Sequence, residues 1–321
     1  MGINMIEINV KRAKQGDCIW VRCSSAEENI NIIIDTGPSS FKGGFKKLMK
    51  EIKKNDEKVD LLIFSHIDDD HIRGCIPYLK EYEEKMIDRV WINGSGSRVY
   101  LQNQEHSARN VSSLVELIRE KGILVETPIL EGKEYKFLNG KIKVIAPTEK
   151  EMMNVAEKIE YYNQFQQHVG GMYRGDILKA PEKKDLDSSP TNTASIIVVL
   201  EFDDKKLLFT GDAPADNIIA ALDKYYPTDR FEIVKLPHHG SYRNITRELI
   251  RRIDTNQVII STNKQIQKIV LRRLIEEKEG INVLCNDDWW NNEYFTVNDM
   301  EEVINEKKLI IKDIGEEKVI L

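Results

Sequence analysis

The sequence predicts an α/β protein built as a four-layer αββα sandwich. Three observations predict it. Short apolar runs of strand character alternate with runs of helical period, in one series before residue 148 and in a second after residue 193. Both series contain apolar strands that stop abruptly in histidine or aspartate, at Asp35, His66, Asp212 and His238. Between them lies a long polar segment, 148–193, carrying Gly170-Gly171, Pro181 and Ser188-Ser189-Pro190. Strand patterns resume directly after it, so it reads as an insertion rather than a linker, and as a lid over whatever the strand ends form.

Taken in order, residues 4–22 read as two strands around Gly16-Asp17, and Asn29 to Ile34 as a third that ends in Asp35-Thr36-Gly37. Phe45, Leu48, Met49 and Ile52 fall at i, i+3, i+4 and i+7, one face of a helix. Leu61 to Phe64 is an apolar strand, and the residues from Ser65 to His71 then hold two histidines and three aspartates. After Gly74 come a short helix with Ile76 and Leu79, a strand from Asp88 to Ile92, and a helix through Val111, Leu114, Val115 and Ile118 ended by Gly122. Lys141 to Ala146 is a strand closed by Pro147, and the insertion opens with a helix through Met152, Ala156 and Ile159. Ser195 to Leu200 and Leu207 to Thr210 are strands, the second running into Gly211-Asp212. Pro214 suits a helix start, with Ile218, Leu222 and Tyr225 as its apolar face. Phe231 to Leu236 leads into Pro237-His238-His239-Gly240-Ser241, and a last unit has a strand at Val258 to Ile260, a helix through Ile266, Ile269, Val270 and Leu274, and a strand at Val283-Leu284. The domain is expected to span 1–286. The acidic tail, 287–321, with Trp289-Trp290, is expected to pack on it and to end in a hairpin.

Composition sets bounds. A chain of 321 residues buries about three quarters of its unfolded surface, so no staple is needed. The four cysteines, Cys18, Cys23, Cys75 and Cys285, form no CxxC pair and read as reduced thiols. The start lacks a basic region followed by an apolar run, and no run approaches membrane-spanning length, which points to the cytoplasm. A net charge of −6 gives no overall attraction to a polyanion, while leaving room for a local basic rim.

The chemistry lies at the strand ends. Asp68, Asp69 and Asp70 repel one another unless solvated or neutralised, and a divalent cation neutralises carboxylates held at the end of a buried strand. His66 and His71 add nitrogen donors that suit Zn, Mn or Fe better than Ca or Mg. On a tight turn the spacing His-x-Asp-x-Asp-His can send alternate side chains into two neighbouring pockets, so two metals can share it. In an α/β sheet the ligand site forms beyond the carboxyl ends of the strands, where Asp35, His66, Asp212 and His238 all lie.

Gln15-Gly16-Asp17-Cys18-Ile19, Ile34-Asp35-Thr36-Gly37, His66-Ile67-Asp68-Asp69-Asp70-His71, Leu208-Phe209-Thr210-Gly211-Asp212 and Leu236-Pro237-His238-His239-Gly240-Ser241 together resemble the metallo-β-lactamase fold. Within it they resemble most closely the hydrolase domain of ComEC-type DNA-uptake proteins, over roughly residues 5–285. The resemblance implies two divalent cations, Zn or Mn. Site 1 would hold His66 and Asp68; site 2 would hold Asp70, His71 and one histidine of the 238–239 pair, taken as His238; Asp212 would bridge. Asp35 would sit behind the ligands, orienting them or the attacking water, and His239 would protonate the leaving group or bind the oxyanion. With Asp70, these two form the expected catalytic set.

Two places depart from the family pattern. Most relatives have a further histidine where this chain reads Thr191-Asn192-Thr193-Ala194-Ser195, which leaves site 1 short of nitrogen and favours harder ions such as Mn²⁺. Arg73 stands where glycine is usual, either binding a substrate phosphate or bridging to Asp68 or Asp69. The implied activity is hydrolysis by a metal-bound hydroxide, with phosphodiesters of a nucleic acid or nucleotide as substrate and Arg73, Asn192, Ser241 and Arg243 as the groups that hold it. Two other readings stay open: a hydrolase of a small ester, thioester or lactone, and a regulatory module that keeps metals as structure. His106 and His168 read as weaker candidates, and Tyr161, Tyr162, Phe165 and Tyr173 either stack on bases or pack the insertion.

Overall fold

The computed structural model describes residues 4–94, 106–137, 139–153, 171–291, 293–315 and 317–321. Fifteen strands among them form two sheets. The first has the order β15-β1-β2-β3-β4-β5-β6, from β1 (Met5–Val10), β2 (Ile19–Ser24), β3 (Asn29–Ile34), β4 (Leu61–Ile63), β5 (Arg89–Trp91), β6 (Leu124–Glu126) and β15 (Val319–Ile320). The second has the order β14-β13-β12-β11-β10-β9-β8-β7, from β7 (Glu134–Phe137), β8 (Gly140–Ala146), β9 (Ile197–Phe202), β10 (Lys205–Phe209), β11 (Ile233–Lys235), β12 (Gln257–Ile260), β13 (Ile281–Cys285) and β14 (Leu309–Asp313).

The two sheets meet over an inner core that draws Ile8, Val21, Ile32 and Ile63 from the first and Val198, Leu207, Ile233 and Ile259 from the second. Helices cover the outer faces. On the first sheet they are α1 (Lys42–Lys54), α2 (Asp69–Ile72), α3 (Ile76–Glu81) and α4 (His106–Glu120). α1 buries the Phe45, Leu48, Met49 and Ile52 stripe that its spacing predicts. The insertion ends in α5 (Pro190–Thr193); α6 (Ala215–Tyr225), α7 (Arg247–Arg252), α8 (Lys268–Glu277) and α9 (Val297–Asp299) follow, and α6, α7 and α8 close the outer core of the second sheet. With both faces covered, the central strands carry apolar residues without alternation. This is the αββα sandwich expected from the sequence.

Five short elements were not anticipated: β6, β7, α5, α7 and α9. β6 and β7 are half-exposed end strands of three and four residues with little apolar signature, and α7 follows the histidine turn in a run rich in arginine and glutamate. The tail also differs from the expected hairpin. β14 adds in parallel to β13 while β15 pairs antiparallel with β1, so the last residues contribute one strand to each sheet. Each strand thereby satisfies an edge that a hairpin would have left bare. Ala156, Ile159, Tyr161, Tyr162, Phe165 and His168 lie outside the described residues. No helix among the described residues is long and apolar enough to cross a membrane.

Candidate metal centre

In the first sheet β3 to β6 run parallel; in the second β10 to β14 do, and their carboxyl ends meet at one rim. Close backbone approach makes the rim compact. A Cβ on Gly16 would lie 1.9 Å from the Asp70 carbonyl oxygen, and one on Gly74 1.8 Å from that of Thr36, so only glycine lets these loops touch. Asp35, His238 and His239 all take left-handed backbone angles, φ 59°, 49° and 55°. Non-glycine residues hold such angles where surrounding contacts over-determine them. The histidine turn is pinned by His238 N–H to the Gly211 carbonyl at 3.2 Å and by Asn244 Nδ2 to the carbonyls of Asp212 and Ala213 at 3.0 and 3.2 Å.

Asp212 is the centre of the arrangement. Its Oδ2 lies 3.8 Å from His66 Nε2, 3.6 Å from His71 Nε2, 3.8 Å from His238 Nε2 and 3.4 Å from His239 Nε2. Asp68 reaches His66 at 3.7 Å, and Asp70 reaches His71 at 4.0 Å and His239 at 3.9 Å. Asp212, His66 and His71 are buried, whereas the Asp68 and Asp70 side chains are part-exposed.

Hydrogen-bond partners fix the tautomers. His71 Nδ1 faces Asp35 Oδ2 at 2.8 Å and His239 Nδ1 faces the Ser261 carbonyl at 3.1 Å; both acceptors lack a proton, so both nitrogens carry one. Ser65 Oγ donates its single proton to Asp35 Oδ2 at 2.6 Å and therefore accepts from His66 Nδ1 at 3.0 Å. In neutral rings all three Nε2 atoms then present lone pairs toward Asp212. His71 and His239 bring theirs to 3.2 Å of one another, and His66 Nε2 is buried without a hydrogen-bond partner. Such a cluster repels itself unless positive charge fills it. Burial pushes the His71 imidazole down, but the Asp35 and Asp212 carboxylates outweigh it and hold it well above the usual histidine range. Burial likewise pushes Asp212 up, and the four imidazoles, His239 foremost, hold it far below the carboxylate range. A proton or a divalent cation meets the same demand, and the mixed imidazole–carboxylate donor set fits Zn²⁺ or Mn²⁺.

The members of the histidine pair occupy different places. His239 belongs with Asp17, His71 and Asp212 to the tight donor group. Asp17 stands behind it, 3.4 Å from His239 Nδ1, with its other oxygen in contact with the Lys235 ammonium. His238 is more open and faces a cleft of about 380 Å³ shared with Asp70, His239, Ser241, Arg243, Lys264 and Gln265. Its Nδ1 lies 3.1 Å from both Asp187 Oδ2 and Asn244 Oδ1. Asp187, which also accepts from Asn192 at 2.7 Å and Asn244 at 2.8 Å, comes from the insertion, and Met172 of the same segment lines the cleft. The described part of the insertion thus borders the mouth.

The residues expected to hold substrate are dispersed. Ser241 and Arg243 line the cleft, but the Arg243 guanidinium is paired with Asp185 at 2.9 Å. Arg73 is paired with Asp69 at 2.9 Å on the surface, and Asn192 is buried behind His238. Asp17, Ser65, Asp187, Lys235 and Asn244 were not singled out. Gly16-Asp17 enters the sequence reading only within the motif that opens the resemblance, and Lys235 only as a member of the Phe231 to Leu236 strand; the unusual burial of a lysine on the inner face marks it, and burial is not visible in one sequence.

The profile of the Metallo-beta-lactamase superfamily matches residues 12–85, the stretch that supplies Asp35, His66, Asp68, Asp70 and His71, and the two-sheet sandwich has the metallo-β-lactamase fold. Among solved structures the chain is similar to the metallo-beta-lactamase fold protein YhfI from Bacillus subtilis, at 9% identity and TM-score 0.45, covering 99% of each chain. It is similar to unliganded yeast PDE1 at 9% identity and TM-score 0.49, covering 98% of this chain and 99% of that one. It is also similar to CmlA, a diiron beta-hydroxylase from Streptomyces venezuelae, at 10% identity and TM-score 0.45, covering 100% of this chain and 54% of that one. No curated protein matches the sequence.

Proposed function

We propose that the protein is a binuclear metal-dependent phosphodiesterase acting on a nucleic acid or nucleotide, of the ComEC type that its motifs resemble. The observation that carries the metal-dependent part is the ring of Nε2 atoms around Asp212 Oδ2 at 3.4–3.8 Å. Asp70, His71 and His239 would hold one cation, His66 and Asp68 the other, and Asp212 would serve both. In this reading His239, which stands inside the tight donor group, would be the ligand of the pair, and His238, which faces the cleft, would be the proton donor. Divalent cations at such a site lower the pKa of a bound water and polarise the bond under attack.

The chain's own groups supply the rest. Asp35 and Ser261 hold His71 and His239 in the tautomer that turns Nε2 inward. Asp187 holds the Nδ1 proton of His238, leaving Nε2 to deliver a proton to the leaving oxygen. Burial pushes the His238 imidazole down, yet the Asp212 and Asp187 carboxylates outweigh it and bring it up to about 9 before any cation is bound. The phosphodiester reading is supported by the cleft, whose lining includes Gln15, Ser241, Lys264, Gln265 and Gln267 as donors. Lys264 makes no ion pair among the described residues, so its ammonium is available to a phosphate.

The test measures bound metal after purification without chelator, then turnover of bis-p-nitrophenyl phosphate and single-stranded DNA against a lactone and a thioester, in Mn²⁺ and in Zn²⁺, for wild type and Asp70→Ala. Close to two ions per chain and turnover of the phosphodiesters, lost in Asp70→Ala, are expected. Turnover of only the carboxylic esters would overturn the substrate class, and failure to bind any metal would overturn the centre itself.

A further inference from the structure

We infer that Lys235 is a positioning residue for the metal centre: held by Asp17 across the two sheets, its ammonium fixes the Asp212 carboxylate so that one oxygen faces the imidazoles. The inference rests on the reading above that Asp212 serves bound cations.

Lys235 is the last residue of β11, and its strand neighbour two positions back, Ile233, lies in the core between the sheets. Alternation along a strand sends the lysine to that same face, where a flexible ammonium has no route to water. It is 1% exposed, as is Asp17, which comes from the loop before β2 in the opposite sheet. The ammonium contacts Asp17 Oδ2, donates to the Gly211 carbonyl at 3.1 Å and lies 3.7 Å from Asp212 Oδ1. Oδ1 is buried and otherwise unpartnered, whereas Oδ2 meets the four imidazoles. Cationic charge on one side and nitrogen donors on the other select one plane for the carboxylate.

The charge balance agrees. Apart from the paired His238 and Asp187, Asp17, Asp35, Asp68, Asp70 and Asp212 bring five negative charges to this rim, and two divalent cations with one ammonium would bring five positive ones. Without Lys235 the loaded centre would keep an uncompensated buried carboxylate at Asp17.

A pair that merely docks the two sheets would leave the same contacts, so the experiment separates the two roles. Mn²⁺ affinity is measured by isothermal titration, beside circular dichroism and thermal unfolding, for wild type, Lys235→Met, Asp17→Asn/Lys235→Met and Lys235→Arg. The double variant removes the ion pair without leaving a lone charge, keeps an amide oxygen at position 17 to face His239 Nδ1, and is expected to fold with a midpoint near wild type, yet to bind Mn²⁺ at least tenfold more weakly. Lys235→Arg restores a cation at this position and is expected to stay within threefold of wild type. Wild-type affinity in the double variant would reduce Lys235 to a sheet contact and overturn the inference. If the double variant does not fold, Lys235→Arg decides alone, a tenfold loss overturning it. A wild-type protein that binds no Mn²⁺ or Zn²⁺ overturns the metal reading, and the inference with it.

Discussion

Asp35 has both carboxylate oxygens committed: Oδ1 accepts from the Ser65 N–H at 2.8 Å, and Oδ2 accepts from Ser65 Oγ at 2.6 Å and His71 Nδ1 at 2.8 Å. It therefore steers two histidines at once, His71 directly and His66 through the serine hydroxyl. Asparagine at position 35 keeps the shape but turns an NH₂ group toward one set of donors. Partners of this kind are worth about 10–100-fold in metal affinity, so Asp35→Asn is expected to weaken metal binding by that factor while the protein still folds. Titration calorimetry checks it, and unchanged affinity would remove Asp35 from the centre. Arg73 gives the contrast. Its guanidinium spans one exposed helical turn to Asp69, an interaction worth at most about 1 kcal/mol, and Arg73→Ala is expected to leave turnover within about twofold.

At the scale of elements, the insertion and the C-terminal segment depend on one aspartate. Asp299 Oδ1 accepts from the Ile177 N–H at 2.6 Å, and Oδ2 accepts from Lys268 Nζ at 2.5 Å and the Thr296 N–H at 3.1 Å. It joins the insertion, α8 and the capping box that starts α9, with both charges 1% exposed. Removing one partner of a buried pair costs about 3–5 kcal/mol because the other is left uncompensated. Asp299→Ala is expected to lose stability of that order in urea unfolding, and Lys268→Met/Asp299→Asn to recover most of it; equal loss in both would show that the ion pair is incidental. Such ties set the limit of what one sequence makes legible. His66, Asp68, Asp70, His71, Asp212 and the 238–239 pair could be picked out because each follows an apolar strand closely. Asp187 and Asp299 could not, since each sits in a polar run that reads as solvated surface until the fold turns it inward. The helix faces of α1 and α6 were readable from period, while β6 and β7 were too short and too polar to give one.

On the scale of the whole molecule, the cysteines report on every apolar layer. Cys18 and Cys75 lie in the outer core of the first sheet, Cys23 between the sheets and Cys285 in the outer core of the second, and all four are buried free thiols. A chain whose layers unfold together exposes all four in one transition, whereas layers with separate stabilities release them in steps. Because the tail adds one strand to each sheet, the layers are covalently and hydrogen-bond linked at both ends, and a single transition is expected. The same thiols set an alkaline limit. Burial pushes Cys23 and Cys75 up to about 12 from the ordinary value of 9.0. Their contribution to stability is complete below the unfolded value and is lost as pH rises toward the folded one, since the unfolded chain releases protons that the folded chain keeps. The urea midpoint should therefore fall between pH 9 and pH 12, and the fall should be smaller in Cys23→Ala/Cys75→Ala. Thiol labelling during the same titrations should find no rapidly reacting cysteine in the native protein and four after the transition. A midpoint that is flat in pH would show that folding does not hold the thiol protons, and a thiol that reacts before unfolding would show that the layers open to solvent separately.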